Sequence, residues 1–192
     1  MQRWAPLLLV AVVVALYAPT VHYGLLPVDD EAYLVHTPQV RAGWNADGLA
    51  WAWTHAAVSN WHPLTWWSYM LDRSLFGDHW GGYHAVNVLL HALNACLLYI
   101  LVRGLTGRWP EALWMALVFA VHPAHAESVA WLAERKDVLS GAFALGTLIA
   151  YTRYVRHSSR GAYLASLGLF AAGLASKPMV VTLPGVLILL DL

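Results

Sequence analysis

Six apolar runs separated by polar breaks set the pattern of this chain. Residues 4–26 are apolar over 23 positions apart from Thr20 and His22. That length lets a helix cross a hydrocarbon core of about 30 Å. Further runs occupy 83–102, 109–121, 138–154, 162–176 and 179–192. The pattern predicts an all-α polytopic membrane protein, a bundle of about six transmembrane helices. The third run has an apolar core of ten residues, 112–121, which also suits a re-entrant segment.

The one long polar break, residues 27–82, predicts an outer loop of amphipathic helices on the bilayer surface. It holds seven of the eleven tryptophans: Trp44, Trp51, Trp53, Trp61, Trp66, Trp67 and Trp80. Their expected place is headgroup depth; the alternative is that some stack on a sugar or prenyl chain. Inside the second run, His84, Asn87, His91 and Asn94 are spaced three, four and three residues apart. They share one helix face, which in a membrane turns towards protein or a wet cavity. His91 and Asn94 read as interhelical hydrogen-bonding groups. His84, nearer the outer end, is placed to reach a site.

Composition agrees with the pattern. The 192 residues are 59% hydrophobic and 11% charged, against about 25% charged in soluble domains. Lys plus Arg equals Asp plus Glu at 11 each, and no basic run or phosphate-cradling GxxxxGK[ST] loop occurs. Nothing points to nucleic acid; the expected partner is the lipid bilayer. The single cysteine, Cys96, excludes an intrachain disulfide and a cysteine-based zinc site. The first run is too long for a signal-peptide core and reads as a retained anchor. The last run stops at Asp191-Leu192 without a polar flank, which predicts a piece of a longer protein.

Arg3 before the first run predicts a cytoplasmic N-terminus. If every run crosses, Arg103, Arg108, Arg153, Arg156 and Arg160 join it inside, while Arg41, Arg73, Arg135, Lys136 and Lys177 lie outside. Asp29-Asp30, the polar stretch 122–137 and Lys177 then converge on the non-cytoplasmic face.

The stretch 122–137 is the one place where histidines, carboxylates and bases crowd together. As plain structure it is a connecting turn, with His122-Pro123 opening a helix and Glu127 near its positive end. As chemistry it offers more. The pair Asp29-Asp30 would serve as general base, metal ligands or helix cap. A base must reach a hydroxyl proton, and Arg135, Lys136 or Lys177 would suit an anionic leaving group such as a phosphate. Base and phosphate clamp together are the minimum apparatus for moving a sugar from a lipid phosphate to an alcohol. His122, His125 and Glu127 form the metal alternative, though HExxH and cysteine ligands are absent. Asp29, Asp30 and Glu127 would hold a divalent ion, Mg or Mn, through oxygens.

Several motifs carry a resemblance. They are VDDE at 28–31, WHPLT at 61–65, YHAVNVLLHA at 83–92, FAVHPAHAESV at 119–129 and RKDVL at 135–139. From about residue 24 onward the chain resembles the transmembrane and tetratricopeptide-repeat proteins. The block His-Pro-x-His-x-Glu-x-Val with its later Arg-x-Asp is the specific part; a lone Asp-Asp is weak. Members of that family are O-mannosyltransferases of the C-type glycosyltransferase fold. The resemblance implies that residues 1–192 are the N-terminal part of a glycosyltransferase-like membrane domain. It implies a polyprenyl-phosphate sugar donor carrying mannose, inversion at the anomeric carbon, and a protein Ser or Thr hydroxyl as acceptor. It also implies a following tetratricopeptide array, for which this chain has no segment. Six spans, the last incomplete, are expected to be only part of a larger helical domain, so the fragment alone is expected to be inactive. The location implied is an integral multi-pass protein, in the plasma membrane if bacterial.

By the same resemblance the acidic pair supplies the base, with Asp30 the first choice and Asp29 the second. Arg135 and Lys177 match basic positions that would hold the phosphate, and His62 stands where a more basic residue is expected. Glu31, His84, His122, His125, Glu127, Lys136 and Asp137 complete the candidate substrate-binding set. Two other functions are weighed. A non-catalytic scaffold or transporter-like protein would use the polar stripe of the second run, although no inverted repeat is evident. A metal-dependent hydrolase of lipid phosphates is the third.

Overall fold

The computed structural model describes residues 4–191. Arg3, on which the cytoplasmic N-terminus rests, and Leu192, the end of the sixth run, lie outside them. Apart from one isolated bridge between Ala57 and Asn60, every regular element among the described residues is helical.

Helix α1 (Ala5–Tyr17) continues as a 3-10 turn to His22 and then opens into extended chain at Tyr23. The outer loop holds a π-turn (Glu31–Val35), α2 (Pro38–Arg41), α3 (Ala46–Thr54) and α4 (Pro63–Phe76). Helix α5 runs Trp80–Thr106 and α6 Trp109–Val121. Two 3-10 turns, Pro123–His125 and Leu132–Glu134, flank α7 (Ala126–Ala130). Helices α8 (Arg135–His157), α9 (Arg160–Leu174) and α10 (Leu183–Asp191) follow, with the turn Pro178–Thr182 before the last. Prolines sit in the first turns of α1, α2, α4 and α6, where a missing N–H loses no bond. Helix α5 ends on Gly107 at φ 72°, in the left-handed conformation that glycine adopts without strain.

Three segments are long and apolar enough to cross a bilayer: Ala5–His22, Trp80–Thr106 and Leu132–His157. Helix α6 and Pro178–Leu190 are shorter apolar helices, and α9 has 15 residues. The fourth run starts earlier than its apolar residues do, because Arg135, Lys136 and Asp137 form the first turn of α8.

Helix α5 is the axis, packed on α1, α6 and α8. Buried Leu9 and Val13 of α1 meet Ala92 and Ala95 of α5 and Ala112 and Ala116 of α6 in one core. Small residues at these positions let helix backbones approach closely. Outward-facing Leu7, Leu89 and Trp114 are exposed, as a lipid-facing surface requires. A second core lies in the outer loop, where Tyr33, Leu34, Trp66, Tyr69 and Met70 close over Leu132 and Ala133. The loop is therefore a folded layer rather than a set of surface helices. Trp66 is fully buried and Trp51, Trp67 and Trp80 are partly so, leaving Trp44, Trp53 and Trp61 exposed among the seven.

Candidate functional site

Asp30 is 1% exposed. Its Oδ2 accepts from the Leu26 N–H at 2.9 Å and its Oδ1 from the Ala133 N–H at 2.7 Å. One carboxylate thus pins the start of the outer loop to the Leu132–Glu134 turn. Burial pushes its pKa above the usual carboxylate value, and the two backbone donors pull the other way. Asp29 is half-buried beside it, while Glu31 is exposed and 3.8 Å from His36.

Arg135 is 0% exposed. Its Nε donates to Asn87 Oδ1 at 2.7 Å, its Nη2 to the Tyr83 carbonyl at 2.7 Å, and its Nη1 to the Asp72 carboxylate. The guanidinium lies 5.0 Å from the centre of the Tyr69 ring. Asn87 in turn donates to the Val129 and Trp131 carbonyls, both at 3.3 Å. The arginine fork, with its fixed donor geometry, joins α4, α5 and α8. Asp72 is pushed up by burial, against the opposing pull of Arg135.

The lysines sit nearer the surface. Lys136 Nζ reaches Glu134 at 2.7 Å and the Ala133 carbonyl at 3.1 Å. Lys177 pairs closely with Asp137 and lies 3.8 Å from Glu134. Ser128 donates to the other oxygen of Asp137 at 3.1 Å. Ala133 links this network to Asp30, because its N–H serves the carboxylate and its carbonyl serves Lys136.

The start of α4 places Lys177. The Leu64 N–H donates to the Ala175 carbonyl at 3.0 Å, and Thr65 Oγ1 to the Ser176 carbonyl at 3.0 Å. Just before them His62 is fully buried, its ring centre 5.6 Å from that of Tyr33 and 4.8 Å from that of Trp66. Neither ring nitrogen has a partner among the described residues. Burial, and then the charge of Lys136, push its pKa down to about 4.

The other candidates are more dispersed. His84 is buried against Tyr23, ring centres 6.1 Å apart. His122 Nδ1 accepts from the Ala124 N–H at 3.2 Å in an exposed turn, and Glu127 is exposed. His125 packs on Phe119 and His91 at 4.3 and 5.2 Å between ring centres. It lines a cavity of about 310 Å³ with Asn94, Ser128, Asp137, Leu145 and Met179. Among the described residues no three His, Cys, Asp or Glu side chains gather as metal ligands. The oxygen set Asp29, Asp30 and Glu127 is not assembled: amides occupy both Asp30 oxygens, and Glu127 points to the surface.

The structure thus brings together Asp30, Lys136, Asp137 and Lys177, and leaves Glu31, His122 and Glu127 at the edge. Sequence reasoning missed Asp72, Glu134 and Ser128. Asp72 was findable. It falls three positions after Tyr69 and seven after Thr65 on α4, a carboxylate on an otherwise buried face.

The chain is similar to several curated proteins. Protein O-mannosyl-transferase TMTC4 of Homo sapiens is 30% identical over 221 residues, covering 98% of this chain and 29% of that protein. Protein O-mannosyl-transferase tmtc2 of Xenopus laevis is 40% identical over 116 residues, covering 59% of this chain and 13% of its own length. Protein O-mannosyl-transferase Tmtc1 of Drosophila melanogaster is 33% identical over 123 residues, 64% of this chain and 14% of that protein. The chain is a homologue of the TMTC protein O-mannosyl-transferases. It spans less than a third of the length of these TMTC relatives. No protein-family profile and no solved structure matches it.

Proposed function

We propose that this chain forms the part of a membrane glycosyltransferase in which a polyprenyl-phosphate mannose and a protein Ser or Thr hydroxyl meet, on the non-cytoplasmic face. The observation that carries the reading is the convergence of Asp30, Lys136 and Lys177, from three distant stretches, around Ala133 and Glu134 at one end of the bundle. The acceptor oxygen attacks the anomeric carbon, the bond from that carbon to the phosphate oxygen breaks, and the phosphate leaves with the electron pair. The hydroxyl proton passes to a carboxylate. Asp30 suits that role because burial makes it more basic. Asp29 is the half-buried second candidate. Lys177 exchanges Asp137 for the departing phosphate, assisted by Lys136. Arg135, with its fork committed to Asn87, Tyr83 and Asp72, positions the first turn of α8. The cavity beside Asp137, apolar along Phe119, Leu145 and Met179, suits the first prenyl units of the donor.

A second reading rests on the same carboxylate. The burial of Asp30 and its two amide bonds favour a purely structural tie, and with it a non-catalytic scaffold. Transfer from radiolabelled polyprenyl-phosphate mannose by the full-length protein in liposomes separates the two. The transferase reading expects Asp30→Asn and Lys177→Gln to lose at least 100-fold in turnover (about 3 kcal/mol) at normal expression and melting temperature. Asp30→Asn with wild-type turnover would remove Asp30 as the base and turn attention to Asp29. An inactive wild type with a full donor series would favour the scaffold.

A further inference from the structure

The opposite end of the bundle carries chemistry of its own. Helices α5 and α8 run away from the Arg135 region for 27 and 23 residues, roughly 40 and 35 Å at 1.5 Å per residue. Their far ends frame a cleft of about 160 Å³. Its wall is apolar, with Ile100, Leu101 and Ile149, and its rim is basic, with Arg153, Arg156 and His157. Arg156 donates to the Gly104 carbonyl and, at 3.4 Å, to the Leu105 carbonyl. Its fork is thereby held across the negative end of α5 with three N–H groups to spare. Arg153 is exposed and has no ion-pair partner among the described residues. Five arginines (Arg103, Arg108, Arg153, Arg156 and Arg160) occupy this end. Its one carboxylate among the described residues, Glu111, already pairs with Arg108 at 2.6 Å.

Aromatic side chains mark the same level. Trp4 and Trp109 meet edge to face at 6.0 Å, and Tyr154 and Tyr163 at 5.1 Å between centres. Tryptophan and tyrosine gather where hydrocarbon gives way to headgroups. A basic rim at that depth above an apolar wall, with Ile100 48% exposed below it, complements an amphiphile whose anionic head joins an acyl chain.

We propose that the α5–α8 cleft binds an anionic membrane phospholipid, with Arg153 and Arg156 on its phosphate and an acyl chain along Ile100 and Ile149. Guanidinium forks match phosphate oxygens in geometry as well as charge, and basic pockets between membrane helices take anionic headgroups. The site is remote from Asp30 and independent of the transferase reading.

The test is native mass spectrometry of the full-length protein in detergent, titrated separately with phosphatidylglycerol, phosphatidylcholine and inorganic phosphate. The expected result is one saturable phosphatidylglycerol, bound at least tenfold more tightly than phosphatidylcholine, with inorganic phosphate failing to displace it. Arg153→Gln weakens that binding about fivefold and leaves the packing intact. The double variant with Arg156→Gln weakens it about twentyfold, and Arg41→Gln in the outer loop leaves it unchanged. Equal binding of the two lipids, or unaltered phosphatidylglycerol affinity in the double variant, would overturn the proposal. Displacement by inorganic phosphate at comparable concentration would replace the lipid with a soluble anion and overturn it as well.

Discussion

The two ends of the bundle treat charge in opposite ways. At the end that holds Asp30, basic groups face acidic ones: Arg135 with Asp72, Lys136 with Glu134, Lys177 with Asp137. The first of these pairs is sealed from solvent, and the other two are held close to protein. At the opposite end, among the described residues, five arginines share one carboxylate, and Arg153, Arg156 and Arg160 are exposed. The chain as a whole is neutral, so the asymmetry is one of placement. Charges buried in pairs hold helices in register and leave a site poised, because removing either partner strands the other. Charges left open at a membrane edge contribute little to folding and are available to lipid.

The sharpest way to break this contrast is Arg135→Ala. It strands a buried Asp72 carboxylate and releases Asn87 and the Tyr83 carbonyl together. The expected loss is about 3–5 kcal/mol, seen as failure to accumulate or a large fall in melting temperature in detergent. Arg135→Lys should recover only part, because an ammonium cannot reproduce the fork. A stable Arg135→Ala protein with normal transfer would mean that the pairs at the Asp30 end are no more structural than the open charges at the other.

His62 gives a smaller effect with a definite sign. Its pKa falls from 6.5 unfolded to about 4 in the fold, so the unfolded chain binds the extra proton. Stability is then complete above pH 6.5 and is lost as pH falls towards 4. Between pH 7 and 5 this group should remove on the order of 2 kcal/mol. His62→Phe should flatten that part of the curve, read by thermal unfolding across pH in detergent. A variant with the wild-type acid slope would mean that His62 stays hydrated rather than sealed between Tyr33 and Trp66.

Much of this is legible in the sequence, and the limit has a physical cause. Period and length announce helices when one element alone decides them. The residues of α5, with His84, Asn87, His91 and Asn94 on one face, could be read that way. Asn94 and His91 do bond to neighbouring helices, through the Val138 and Ala120 carbonyls. The outer loop was harder. Its tryptophans are amphipathic by composition, but whether Trp66 meets lipid or Tyr33 depends on pairings across many residues that no local pattern encodes. The same holds at the site. The acidic pair and the basic stretch stood out as chemistry. That Arg135 is committed inward while Lys136 and Lys177 remain near the surface depends on Asp72, from an element 63 residues away in sequence.

The smallest expected effect tests the arginine-rich end. Arg160 opens α9, directly after the Ser159 cap whose hydroxyl accepts from the Ala162 N–H at 3.3 Å. A cation there faces the positive end of the helix dipole, which disfavours it by a few tenths of a kcal/mol. It is exposed and has no ion-pair partner among the described residues. Arg160→Gln should therefore leave stability in neutral detergent within about 0.5 kcal/mol of wild type, with any change on the stabilising side. A loss above 1 kcal/mol would place Arg160 among paired structural charges, and the difference between the two ends would shrink accordingly. The expected neutrality would leave the bilayer surface as the reason for a basic residue at a position where helix electrostatics oppose it.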